Sequence, residues 1–206
     1  MSSRIDEIIS FWFSGSLDTA DLISERIKVW FHTDETFDNE IRERFQSDYE
    51  AAIHGQLDSW KNSSRGMLAL ILILDQFSRN MFRGTQQAFA QDHIALQLCL
   101  EGIAQGRDIE LSQLERAFFY MPLQHAEDND LQELGMKKYK QLHSQTPEGI
   151  KKEMLGFLNA STEHRNIIKQ FGRFPHRNQI LKRASTNEEE KFLKTQNSWY
   201  GQRPVQ

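Results

Sequence analysis

The chain has 206 residues, 25 of them Lys or Arg and 29 Asp or Glu, for a net charge of −4, and one cysteine. That balance lacks the basic footprint of a nucleic-acid binder, and the lone Cys99 leaves no internal disulfide framework. The longest aliphatic run, Met67 to Leu74, falls far short of the ~20 residues that span a bilayer, and the opening MSSRIDEIISFWF has acids where a signal peptide needs an apolar core, so a soluble cytoplasmic protein of one domain is expected.

No alternating polar and apolar run is long enough for a strand, whereas the helical period recurs throughout. Ser3 precedes RIDEIISFWF, a first helix closed by Ser14-Gly15. Leu22 to Phe31 is the second. Asp34 or Thr36 caps a third, from about Glu35 to His54, whose stripe is Phe37, Ile41, Phe45 and Tyr49, with Gly55 as its stop. Ser63 or Ser64 begins a central helix that reaches roughly Phe82. Arg83-Gly84-Thr85 reads as a turn, and Thr85 caps a helix to about Ala104. Ser112 with Glu115 is a capping box, and Pro122 ends or bends the helix it opens. Asp128 to His143 is helical. Thr146-Pro147 opens the longest helix of the second half, to about Phe171. FGRFPHRN, from Phe171 to Asn178, is a loop. Thr186 with Glu189 caps a final helix to about Lys194, and residues 197–206 are expected to fray or pack as a tail. The sum is an all-α, single-domain bundle of about eight or nine helices, mostly antiparallel because their connections are short, with no internal repeat at the tetratricopeptide period.

Polar side chains gather in three places. The central helix passes from its apolar run into Asp75, Gln76, Arg79, Asn80 and Arg83, with Asp75, Arg79 and Arg83 on one face at i, i+4 and i+8. The spacing of Asp75 and Arg79 suits an ordinary ion pair. The neighbouring Phe77, Met81 and Phe82 argue for partial burial, where an arginine needs a partner or a ligand. Asp92 follows in the next helix. In AFFYMPLQHAEDND, His125, Glu127 and Asp128 come after the proline break. His125 and Glu127 are candidates for acid–base work, and the same residues also describe a helix start with Asp128 as cap. FGRFPHRN sets Arg173, His176, Arg177 and Asn178 on a loop stiffened by Pro175 and anchored by two phenylalanines, an arrangement that suits an anion or a carbonyl; cations near a helix C-terminus read the same way. His164 and Cys99 fall in apolar stripes and read as core.

The strings LDQFSRNMFRGT, AFAQD, FYMPLQHAED and FGRFPHRN followed by STNEE resemble a bacterial family known as domain of unknown function 924, over nearly the whole chain. The family pattern carries PRN and HSED where this chain has Ser78-Arg79-Asn80 and His125-Ala126-Glu127-Asp128, so Ala126 removes a hydroxyl. The resemblance implies an all-helical fold like that of the tetratricopeptide-like superfamily, and no activity.

Three readings follow. The first is a binding protein whose pocket holds a small anionic molecule or an acidic peptide end, using Asp75, Arg79, Asn80, Arg83, Asp92, His125, Arg173, His176, Arg177 and Asn178. The second is a hydrolase or lyase in which His125 and Glu127 are acid–base partners, with Asp75 or Asp92 assisting and a divalent metal as an optional helper. The third is a tetratricopeptide-like interaction scaffold, which predicts an exposed groove and no convergence of polar groups. No GxSxG elbow, Walker loop, HExxH or paired ExxH motif is present, so no cofactor and no resident metal are expected. No pattern sets an oligomeric state.

Overall fold

The computed structural model describes residues 3–14 and 19–195, and among them every regular element is helical. The Gly15 stop and the 197–206 tail lie outside the described residues. Helix α1 spans Arg4–Phe13, started by a reciprocal capping box between Ser3 and Asp6. Helix α2 spans Ala20–Phe31 with Thr19 as cap, two residues earlier than its apolar pattern begins. Helix α3 spans Glu35–Ile53, and Asp34 rather than Thr36 is its cap, accepting from the Thr36 and Phe37 amides.

The central helix is one rod in three pieces: α4 at Ser64–Ile71, a π-helical turn at Leu72–Phe77, and α5 at Ser78–Met81. Every residue from Met67 to Leu74 is buried, as befits a rod that is apolar all round and sits in the middle of the molecule. Gly66 lets it dock, since a Cβ there would stand 2.1 Å from the Trp60 carbonyl oxygen. The π turn departs from the continuous α-helix that the periodicity predicts. It widens the coil where Asp75 and Gln76 must be buried, and side chains satisfy its carbonyls. Ser78 Oγ donates to Leu74 O at 2.7 Å, and Arg79 Nη1 donates to Asp75 O at 2.8 Å. Turns of this kind recur at functional sites.

Thr85 does not cap the next helix. Its hydroxyl donates back to Phe82 O, a short 3₁₀ turn occupies Gln86–Phe89, and helix α6 runs Asp92–Ala104. Ser112 and Glu115 form the expected capping box of α7, Gln113–Phe119. Pro122 bends the chain into a separate short helix, α8, at Met121–His125. Asp128 caps α9, Asn129–Ser144. Thr146 turns its hydroxyl to Leu142 O instead of capping forward, so a 3₁₀ turn at Glu148–Ile150 precedes α10, Lys151–Phe171. Gly172 ends α10 at φ 71°, a left-handed position that suits glycine. A 3₁₀ turn at Pro175–Arg177 follows, and α11 spans Asn187–Thr195.

Trp12, Trp30, Phe77 and Phe118 form an aromatic cluster against the central rod, with Trp30 and Phe118 ring centres 4.6 Å apart. Cys99 is fully buried in this core. No helix among the described residues is long and apolar enough to cross a membrane.

Candidate functional site

Where the π turn leaves the core, side chains from α2, α5, α8, α10 and the 3₁₀ turn after α10 close around a cavity of about 360 Å³. That is within the usual range for a small-molecule site. Trp30, Phe31, Met121 and Phe157 supply its apolar wall. Its polar wall contains Arg79, Asn80, Arg83, His125, His176 and Arg177, six of the candidate binding residues, together with Gln76, Gln124 and His164.

Asp75 lies immediately behind this wall, wholly shielded from solvent. Its Oδ1 accepts from His125 Nδ1 at 2.7 Å and pairs with Arg79 Nη1 at 3.1 Å, and its Oδ2 accepts from Gln76 Nε2 at 2.5 Å. Burial works against ionisation of Asp75, but Arg79 and then His125 outweigh it and hold the carboxyl well below the usual carboxylate range. The ionised carboxylate fixes the His125 tautomer with its proton on Nδ1. Burial and then the Arg79 charge depress the His125 pKa below its ordinary 6.5, so the ring is neutral at pH 7.

Arg79 and Arg177 share one carboxylate. Arg79 grips Asp92 with two bonds, at 2.8 and 2.9 Å, whereas Arg177 comes only to 3.6 Å from it. The Arg177 guanidinium instead stacks on Phe174 at 4.5 Å and Phe89 at 4.8 Å. Among the described residues it makes no hydrogen bond to protein, and its buried Nε has no partner. Burial brings its pKa down to about 10. The buried Gln124 Oε1 is likewise unpartnered. Native interiors rarely leave such groups unsatisfied.

Two further histidines line the cavity in neutral form. Burial, reinforced by His125, lowers His164 to about 3, and burial, reinforced by Arg177, lowers His176 to about 2. His164 Nδ1 lies 2.8 Å from Ala160 O, the i−4 carbonyl, which sets that nitrogen as the donor.

Other sequence candidates are held elsewhere. Arg83 and Asn80 line the cavity but both bind Asp38, at 2.6 and 2.7 Å. Asp92 faces an adjoining shallow cleft that it shares with His125, Glu127 and Arg177. Glu127 is not the acid–base partner of His125 here. Its Oε1 accepts from the Phe174 amide at 2.8 Å, and its carboxylate takes both Arg183 terminal nitrogens, at 2.6 and 2.9 Å. Arg173 clamps Glu189 at 2.6 Å, and Asn178 bonds Ser185 and Glu189. These three residues fasten the FGRFPHRN loop and α11, and so hold Arg177 in place. Glu127→Gln is therefore expected to cost about 1–2 kcal/mol, the scale of a weakened charge-assisted hydrogen bond. Urea unfolding would measure it, with a parallel loss of hydrogen-exchange protection at the Phe174 amide. Unchanged protection there would contradict the clasp.

The sequence reading passed over Asp38, Phe89, Gln124 and Arg183. Gln124, adjacent to His125 in FYMPLQHAED, and Phe89, in AFAQD, lay within strings already singled out; Asp38 and Arg183 carried no such signal. No group of three His, Cys, Asp or Glu side chains among the described residues has metal-holding geometry.

Residues 8–197 match the model of a family described as bacterial protein of unknown function (DUF924). The solved structure of the protein of unknown function ATU0120 from Agrobacterium tumefaciens resembles this fold with a TM-score of 0.79. It is 36% identical over 93% of this chain and 97% of that one. No curated protein matches the sequence.

Proposed function

The chain belongs to the DUF924 family of bacterial proteins, and we propose that its cavity binds a small molecule with a carboxylate head and an apolar body. The observation that carries this reading is Arg177, a buried guanidinium lying over two phenylalanine rings and given no hydrogen bond by any described residue. A buried cation with open donors is costly until an acceptor arrives, and a guanidinium fork matches a carboxylate. Asn80 and Arg83 are already bound to Asp38, and Arg79 to Asp92, so Arg177 is the side chain that would gain most from a carboxylate. Trp30, Phe31 and Phe157 would receive the apolar body. The size of the cavity favours a small molecule over a peptide end. The convergence of charged groups from separate helices weighs against a scaffold with only an exposed groove.

Thermal unfolding with benzoate, hexanoate, phosphate and benzylamine tests this. Benzoate or hexanoate at 100 times its Kd should stabilise the fold by about 2.7 kcal/mol, and benzylamine should not. No carboxylate-dependent shift would overturn the reading.

A further inference from the structure

We propose that Asp75 and His125 form a proton-transfer pair that hydrolyses a small carboxylic ester bound in this cavity, with water as the co-reactant. The inference rests on the carboxylate reading above, because a carboxylate is the acid product of that reaction. Its basis is geometric. Asp75 on the π turn and His125 on α8, fifty residues apart, meet at 2.7 Å through Nδ1. His125 lines the cavity, and among the described residues its Nε2 makes no hydrogen bond, which leaves that lone pair available to a ligand or a water. A histidine oriented by a buried carboxylate, with the opposite nitrogen open, is the base half of a hydrolytic triad.

The nucleophile half is missing. Among the described residues no Ser, Thr, Cys, Lys or Tyr lines the cavity, so water is the attacking group. In the first step the water oxygen bonds to the ester carbonyl carbon, and a water proton passes to His125 Nε2. The carbonyl electron pair moves onto oxygen, and Arg177, which lines the same cavity, is the cation that would receive that oxyanion. In the second step the oxyanion collapses, the bond to the alkoxy oxygen breaks, and the Nε2 proton goes to the departing alkoxide. Acid and alcohol result. Asp75 stabilises the transient imidazolium and acts as a positioning residue. Arg79, Asp92 and His164 also face the His125 ring, and burial, reinforced by Arg79, keeps it neutral between turnovers.

Phenyl acetate and methyl benzoate are suitable probes, with benzoate as product-like ligand. His125→Gln and His125→Ala should each lower kcat/KM by about 10²–10⁴-fold. Benzoate should inhibit the wild type competitively and still bind His125→Gln. The wild-type rate should be flat near pH 7 and fall on an acid limb below pH 6.5. In Asp75→Asn that limb should move to lower pH, because the Asp75 charge raises the His125 pKa. A role for Asp75 in packing alone would leave the limb in place. No turnover of either ester by the wild type, or turnover that survives His125→Gln, overturns the proposal. Benzoate binding in the same samples decides the carboxylate reading separately.

Discussion

Between pH 6.5 and pH 5 the folded protein is expected to lose roughly 2–4 kcal/mol of stability, before most of its carboxylates titrate. The cause is the pair His164 and His176, whose pKa values fall to about 3 and about 2 in the fold. Unfolded, each titrates near 6.5. Below that pH the unfolded chain binds protons that the native state refuses, so stability rises with pH and falls as pH drops. The limiting slope is about 1.4 kcal/mol per pH unit for each histidine. Urea titrations at pH 7.5, 6.5, 5.5 and 5.0 measure the loss. His164→Phe, an aromatic of similar size beside Phe174, should remove about one histidine's share of the slope; their rings sit 5.3 Å apart. Equal stability at pH 7.5 and pH 5 would mean that these rings are not sealed in as the fold describes. Their joint neutrality also matters for the site. A charged His164 or His176 would compete with Arg177 for an incoming carboxylate.

The fold was legible in the sequence wherever one residue's local chemistry decides the outcome. Ser3, Asp34, Ser112, Asp128 and Thr186 cap helices as their side chains dictate, and the apolar run before Asp75 becomes the buried rod. Thr85 and Thr146 misled the reading because a threonine hydroxyl can also bond backward, to the carbonyl three or four residues before it, and both do. The π turn left no trace in the periodicity. It offsets the register where two polar residues must be buried, and hydrophobic spacing alone does not report that. The site was half legible for a related reason. Arg79 and Arg177 stand out because cations beside phenylalanines need partners. Yet Arg173 carries the same signal and is spent on Glu189, sixteen residues onward. Asp38 looked like an ordinary acid in a first turn, and its partners Asn80 and Arg83 lie more than forty residues away. Glu127 drew attention for its position beside His125, but chain proximity is a poor guide to partners after a proline bend. The carboxylate that orients His125 comes from fifty residues earlier, and only the folded rod brings it there.

Arg177→Met should stabilise the unliganded protein while abolishing carboxylate binding. The substitution keeps an unbranched side chain between Phe89 and Phe174 and removes a guanidinium that no described residue hydrogen-bonds. Asp92 is not orphaned by the change, since Arg79 still holds both of its oxygens. Replacing poorly compensated buried charge with apolar volume commonly gains about 1–4 kcal/mol, and a gain near the lower end is expected because Asp92 offsets part of the cost at 3.6 Å. The loss of binding should be large. Truncating one side of a buried, hydrogen-bonded charge pair costs about 2–5 kcal/mol, some thirty- to several-thousand-fold in Kd. Urea unfolding without ligand and calorimetric titration with benzoate measure the two effects on the same protein. Arg79→Met gives the contrasting case. That arginine is bound to Asp75 and Asp92 inside the protein, so its removal should destabilise the fold. Opposite signs at two guanidiniums that share one carboxylate would separate an arginine retained for its ligand from one retained for the fold. If Arg177→Met instead destabilised the protein as Arg79→Met does, its stacking on the two rings would be structural, and the case for a ligand at this position would fail.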